Sequence, residues 1–482
     1  MTLSKESDLP SRPLCLNCVR EPFLHAEIES TGEAAQCFYC GHEAKAFTLS
    51  QLAERIEGAF EQHFERTPDQ PESSYESHSW FRDGEPVSDA IAAAADMDEA
   101  PASDIAEVLE DRNFDHELAK LGEECPFDSN ARYQEKSVDD FRFQVEWSAF
   151  EKEIKERARY FSRSAQNTLK LIFDGLEDLR TDTDQCIVVT AGPNCKTKSF
   201  YRARVFQSEE ALERALTGPD VEIGPPPSRF ASAGRMNSHG IAMFYGASDA
   251  ATALAEVRPP VGSFVVLGRF AITREIRLLD LAAMREVFIK GSIFDASYIY
   301  RLERATFLSS LSRRMTRPVM PTDEAFEYLP TQVIADYLAA EQRLDGIIYR
   351  SAQVEGKGAN VVLFHDASRV EPIDLPEGTK IRAHLKDLRE DALDLDYCVW
   401  EEVPSEPHNH AKPATSNQLL DLYEVDEVLA GNDPRQTTLH LDLQSIDVHH
   451  VDSVKINARA FPVRRHRIQP NAGGARAVKS QE

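Results

Sequence analysis

Two cysteine pairs open the chain, Cys15-x2-Cys18 and Cys37-x2-Cys40, with 18 residues between them. Each CxxC turn aims two thiolates at one point, and two such turns complete a tetrahedral sulfur site of the zinc-ribbon kind. Gly41, directly after the second pair, suits the tight turn. Redox or unmetallated thiols are the competing reading. Four protein ligands leave no open position, so the expected zinc is structural and not catalytic. Cys125, Cys186, Cys195 and Cys398 lack this spacing and read as small hydrophobes.

A second group of chemistry-bearing residues is scattered between 199 and 364. In SFYRARVF (199–206), strand alternation puts Arg202 and Arg204 on one face and Tyr201, Ala203 and Val205 on the other. Such a pair either lies in water on an edge strand or is buried against an anion. In GRMNSHGIAMFYGASDAATALAEVRP (234–259), Gly234-Arg235 enters a polar turn and an apolar strand ends at Tyr245. A small-residue helix follows, with Thr252 and Glu256 four apart on one face. Glu256 is then a surface charge or a buried acid with a cationic partner. Ser351 stands just past a short strand, Gly346–Tyr349, where a loop serine by itself says little.

The elements that must hold these residues change in kind along the chain. Thr48 and Gln51 form a capping box ahead of an apolar stripe, Leu49, Leu52, Ile56, Phe60 and Phe64. Ser148 and Glu151 suggest a second box, opening one long stripe from Trp147 to Leu176. Helices are therefore expected over about 48–180. Beyond that, Cys186–Thr190, Ser199–Phe206, Ala242–Tyr245, Phe264–Phe270, Gly346–Tyr349 and Asn360–Phe364 read as strands. Helices at Asp249–Val257, capped by Ser248, and at Thr331–Arg343 lie between them. Leu439–His450 and Ser453–Ile456 read as late strands. Thr67–Pro86, Gly218–Ser228, Val403–Asn417 and the tail from Gln469 read as loops.

Charge narrows the function classes. The chain of 482 residues carries 54 basic and 81 acidic side chains, a net −27. Residues 51–150 alone hold 26 acidic against 8 basic side chains, or −18. Bulk binding to nucleic acid or to anionic membranes needs the opposite sign. No apolar run approaches the roughly 18 residues of a spanning helix, and no signal-like segment opens the chain. With reduced cysteines, this points to the cytoplasm.

Taken in series, the pieces between 200 and 364 resemble the RES domain, a family named for an Arg, a Glu and a Ser. The matching run is Tyr201-Arg202, Gly234–Gly240, Tyr245, Glu256, Leu329–Gln332, Gly346–Ser351 and Asn360–Phe364. Met236 stands where the family usually has Trp, a change expected to alter packing more than chemistry. The region ahead resembles the HEPN-like domain that precedes RES in part of the family. Its Arg-x4–6-His ribonuclease motif is missing: Arg55…His63 and Arg112…His116 have the wrong spacing, and Arg20-x4-His25 lies in the cysteine module with Pro22 inside it. A regulatory or assembly role is expected there instead of RNA cleavage.

The resemblance implies a multidomain α+β protein: a zinc module (1–47), an all-helical HEPN-like domain (48–184), an α/β RES domain resembling ADP-ribosyltransferases (185–375) and a C-terminal extension (376–482). It implies NAD⁺ as substrate, cleaved by hydrolysis or phosphorolysis of the nicotinamide–ribose bond in a toxin or defence setting. The alternatives are ADP-ribosyl transfer to a macromolecule and a non-catalytic interaction protein. In the enzyme reading Glu256 stabilises the ribosyl cation, Arg202 and Arg235 bind the pyrophosphate, Tyr245 stacks on the nicotinamide and Ser351 bonds ribose or the amide. A regulatory or antitoxin protein is the implied partner.

Overall fold

The structure is a computed structural model. It describes residues 8–68, 70–71, 80–121, 124–159, 161–354, 356, 358–385, 387–389, 392–394, 397–404, 433–455, 458–465, 467–470 and 476–479. Most of the expected loop Val403–Asn417, part of Thr67–Pro86, and most of the tail from Gln469 lie outside the described residues.

The cysteine turns sit on a three-stranded antiparallel sheet of β1 (Pro13–Cys15), β2 (Glu33–Gln36) and β3 (Glu43–Thr48), in the order β1-β3-β2, with helix α1 (Pro22–Thr31) against it. Helix α2 (Leu49–His63) starts at the expected box: Gln51 Oε1 accepts from Thr48 N at 2.9 Å and Thr48 Oγ1 from Gln51 N at 3.3 Å. Helix α4 (Glu99–Asn113) packs on it, and α3 (Val87–Ala94) packs on α4. Leu14, Cys15, Cys37, Ile56, Phe60, Ile91, Ile105 and Leu109 share one hydrophobic core, so the cysteine turns and these helices are buried together. The region after residue 48 is not wholly helical, contrary to expectation. Strands β4 (Phe64–Arg66), β5 (Glu85–Pro86) and β6 (Arg132–Glu135) form a small sheet in the order β4-β6-β5. Aromatic packing favours it: Phe64 stacks on Phe60 at 4.3 Å, and Tyr133 meets Phe60 edge-on at 5.2 Å.

The long stripe from Trp147 breaks into two helices, α5 (Phe141–Glu156) and α6 (Arg163–Phe173). Ser148 is no cap: it lies inside α5 and its hydroxyl donates back to Gln144 O at 2.8 Å. The cap is Ser162, whose Oγ accepts from Ala165 N after a turn in which Phe161 takes φ +61°. Phe143, Trp147, Phe150, Leu169 and Ile172 are buried not with the N-terminal core but with Leu281, Phe307, Leu311 and Leu338 of the next region.

That region is built on one eight-stranded sheet. Its members are β7 (Val188–Ala191), β8 (Ser199–Phe206), β9 (Phe244–Ala247), β10 (Phe264–Ile272), β11 (Ile276–Asp280), β12 (Gly346–Arg350), β13 (Ala359–Leu363) and β14 (Leu439–His450). The spatial order is β14-β10-β8-β9-β13-β12-β11-β7. Only β11 and β12 run parallel, because the chain between them crosses over through α9 (Tyr298–Thr316) and α10 (Leu329–Ala340). Helices α7 (Glu209–Thr217) and α8 (Ala250–Glu256) complete the set used below. Helix α9 was not among the expected elements, because its buried residues Phe307, Leu308, Leu311, Ser312 and Met315 form only a narrow stripe.

The cap of α8 is Asp249, which accepts from Thr252 N at 2.9 Å, and not Ser248, whose hydroxyl accepts from Ala359 N at 3.1 Å and so ties the helix to β13. The expected loop Gly218–Ser228 contains a one-turn helix, Pro219–Glu222. The late strand Leu439–His450 closes the sheet edge against β10. Residues 453–455 are not strand, and Ile456 lies outside the described residues. Among the described residues, no helix is long and apolar enough to cross a membrane.

Candidate functional site

The middle of the main sheet opens where β8 and β9 meet. Their ladder has a single pair, Tyr201 with Ala247. Tyr245 O, two residues along, accepts instead from Arg202 Nη1 at 2.9 Å. Arg202 lies 5.3 Å over the Phe244 ring, and its Nε is buried with no partner. Burial, then the neighbouring Arg204 charge, lowers its pKa to about 10, so it stays a cation at neutral pH. Among the described residues no carboxylate pairs with it. A buried cation without a counter-ion is costly and marks a place where an anion is expected. Arg204 is spent differently, its Nη1 donating to Glu222 O.

A cavity of about 260 Å³ lies beside this seam, lined by Arg202, Tyr245, Gly246, Glu256, Tyr349 and Asn360 among others. Small residues create the space: Ala203, Ala247 and Ala253 are buried where α8 crosses the sheet. Glu256, in the last turn of α8, turns Oε1 toward two donors. Ser351 Oγ donates to it at 2.5 Å and Asn360 Nδ2 at 2.7 Å. Ser351 Oγ in turn accepts from Gln353 N at 3.0 Å. The approach of this loop to α8 needs glycine at 358, since a Cβ there would stand 2.3 Å from Thr252 Oγ1.

Tyr245 is fixed by the polar turn before it. Its hydroxyl donates to Asn237 Oδ1 at 2.7 Å and accepts from Met236 N at 3.2 Å. Gly234 lies so near this junction that a Cβ would meet Asn237 Oδ1 at 2.6 Å and the Tyr245 hydroxyl at 2.7 Å. Met236 is fully buried in the core shared with α5 and α6. Burial raises the Tyr245 pKa well above the usual phenol value and that of Tyr349 to about 12, so both hydroxyls keep their protons.

Four of the five expected residues thus gather: Arg202, Tyr245 and Glu256 line one cavity, and Ser351 bonds Glu256. Arg235 does not line it. Its Nη1 donates to Met315 O at 3.1 Å and Arg317 O at 2.8 Å, and it lies 5.0 Å over the Tyr328 ring. Asn360, Tyr349 and Asn237 were missed as site residues. Asn360 carried a visible signal, a polar residue opening an otherwise apolar strand.

The cysteine sulfurs of residues 15, 18, 37 and 40 lie within 4.8 Å of one another, with Cys15–Cys40 at 3.5 Å, Cys15–Cys18 at 3.8 Å and Cys18–Cys37 at 3.9 Å. Sulfurs about 2.3 Å from a tetrahedral centre stand about 3.8 Å apart, so the donor set fits one thiophilic ion. Gly41 takes φ +72° after the second pair, as the tight turn requires. Asp104 of α4 clamps the turn, accepting from Tyr39 Oη at 2.6 Å and Arg12 Nη1 at 2.7 Å. The arginines of the mis-spaced Arg/His pairs are engaged by carboxylates, Arg55 by Glu27 and Arg112 by Glu57. His63 is buried, 5.8 Å from the Tyr298 ring.

A family model for the RES domain matches residues 199–385, and one for HEPN/RES N-terminal domain 1 matches residues 30–168. No curated protein matches the chain. Among solved structures, a chain of the M. tuberculosis MbcT-MbcA toxin-antitoxin complex is 14% identical, with 43% of this chain and 84% of that one covered, at a TM-score of 0.19. The cavity and the residues that frame it fall inside the first match and the cysteine pairs straddle the start of the second, so the chain carries a RES domain over residues 199–385 and a HEPN/RES N-terminal domain over residues 30–168.

Proposed function

We propose that the RES domain cleaves the nicotinamide–ribose bond of NAD⁺, by hydrolysis or phosphorolysis, as a toxin- or defence-type enzyme resembling ADP-ribosyltransferases. One observation carries this reading: a single cavity faces an unpaired buried cation, Arg202, and a carboxylate, Glu256, held by two donors. NAD⁺ offers the complement, an anionic pyrophosphate and a ribosyl carbon that turns cationic as nicotinamide leaves.

Glu256 stabilises that developing charge. Arg202 attracts the phosphates, and Tyr245 lies flat against the departing nicotinamide. Ser351 acts on Glu256, in place of the ribose contact expected from sequence. Arg235 supplies charge from behind the Tyr245 turn. At about 260 Å³ the cavity is smaller than the ~300–1,000 Å³ of a drug-sized site, so it takes the nicotinamide riboside end and leaves the adenylate outside. The four thiolates take up a structural zinc, which offsets half of their charge and joins the two CxxC turns.

The test is incubation of the purified protein with NAD⁺, with and without phosphate, and identification of products. Free nicotinamide with ADP-ribose means hydrolysis. ADP-ribose 1″-phosphate, formed only with phosphate, means phosphorolysis. ADP-ribose retained on protein means transfer. Intact NAD⁺ under all conditions rejects the enzyme reading.

A further inference from the structure

Glu256 has two carboxylate oxygens, and the structure treats them unequally. Both donors, Ser351 Oγ and Asn360 Nδ2, converge on Oε1. We propose that Asn360 is a positioning residue that fixes the rotamer of Glu256, so that Oε2 alone is presented to the ribosyl carbon. The proposal rests on the NAD⁺ reading for its chemistry but not for its geometry.

Asn360 is placed for this by strand register. It pairs with Tyr349 on β12 and with Ala247 on β9, at the centre of the sheet and under α8. It is only 7% exposed and lines the cavity. Its amide orientation follows from its neighbour, since an ionised carboxylate accepts and cannot donate. The residue is a poor choice for packing alone. Its Oδ1 is buried with no partner, while the rest of the strand, Val361, Val362 and Leu363, is apolar and buried. A half-satisfied buried amide is disfavoured, so what keeps it there is what it donates to, the Glu256 carboxylate at 2.7 Å and beside it the Tyr349 hydroxyl.

Ser351 cannot do the same work alone. It hangs on the loop after β12 and reaches Glu256 through a rotatable hydroxyl. Asn360 stands in a ladder bonded on both sides, so its amide is the rigid half of the clamp. With one oxygen held from two directions, rotation of the carboxylate is blocked and no reorganisation is needed as charge develops.

The test is two double-mutant cycles on the full-length protein. In the first, NAD⁺ turnover is measured for wild type, Asn360→Ala, Glu256→Gln and the double variant. Asn360→Ala is expected to lower kcat about 10–100-fold with little change in KM, the usual size for groups that orient a catalytic ligand. In the Glu256→Gln background the same change should have almost no further effect. A loss of equal size in both backgrounds, or a loss confined to KM, overturns the proposal. The second cycle uses thermal stability of Asn360→Ala, Glu256→Ala and the double variant, and reads the contact whether or not NAD⁺ is cleaved. Additive melting shifts overturn the clamp even in an active enzyme. Coupled shifts in a protein that leaves NAD⁺ intact uphold the clamp and reject the reaction instead.

Discussion

At the scale of single residues, the proposed reaction separates groups that act on binding from one that acts on rate. Glu256→Gln keeps the size of the side chain and removes its charge. Turnover of NAD⁺ should fall by about 10²–10³ while its affinity, read by calorimetry, stays near wild type. Arg202→Ala should do the reverse and weaken binding several-fold, because attraction to phosphate acts before the reaction begins. The two arginines that look equivalent in sequence are not equivalent in space. Arg202 sits in a seam of the sheet with no anion beside it, whereas Arg235 is turned toward two backbone carbonyls. The candidate residues were legible as a series, Arg202, Tyr245, Glu256 and Ser351 in the order and spacing of the RES pattern, and not one by one. Their partners were not. Ser351 and Glu256 stand 95 positions apart, and only the pairing of β12, β13 and β9 brings them together. Nothing in the local pattern around Ser351 distinguishes a donor to substrate from a donor to Glu256.

At the scale of elements, local rules succeeded where a segment's own residues settle its conformation. The Thr48 box did so, and Ser148 did not, because its hydroxyl found the preceding turn of an existing helix. The edge strand β14 shows a dependence on solvent conditions. It is latched by Arg435, which donates to His365 O at 3.0 Å and Ser368 Oγ at 3.1 Å, and by Arg369, which donates to Asp433 O at 2.8 Å. The Arg435 guanidinium bonds the Asp433 carboxylate and holds its pKa down at about 2. The unfolded value is near ~3.9, so the native state binds fewer protons at this group between the two values. The stability it contributes is full above about pH 4 and is lost as pH falls through about 2, on the order of 1–2 kcal/mol for a pair about a quarter exposed. Limited pepsin digestion should cut near residues 433–450 faster at pH 2 than at pH 4. In Asp433→Asn the excess of cutting at low pH should be much reduced.

At the scale of the whole molecule, the hydrophobic cores do not follow the order of the chain. Helices α5 and α6 precede residues 199–385 in sequence yet are buried with α9 and α10. Trp147→Ala or Phe150→Ala should therefore cost about 3–5 kcal/mol and lower the melting temperature of the RES domain itself. A fragment beginning at 185 should expose the matching face of α9 and α10 and aggregate, where one beginning at 137 folds. Metal removal should act on the other core. A strong chelator, or Cys37→Ser, should release about one zinc equivalent and unfold the region around Cys15, Cys37 and α4, while the cavity at Glu256 is left in place. Composition and spacing could announce two kinds of region, but not that an amphipathic pair of helices would cross from one to the other. Their apolar faces fit either neighbour by pattern, and the pattern does not say which core they join.

The position of β14 has a consequence during synthesis. Its partner β10 lies at Phe264–Ile272, and the last of the other strands ends at Leu363, but β14 begins only at Leu439. At about 5–20 residues per second, a ribosome needs about 4–15 s to cover that interval. Throughout it, the nascent chain holds a nearly complete sheet with the long edge of β10 unpaired and open to any passing strand. The N-terminal core has by then long emerged. The hazard for this protein on the ribosome is therefore concentrated while residues 364–450 are being translated, and a message truncated there would release a chain prone to aggregate.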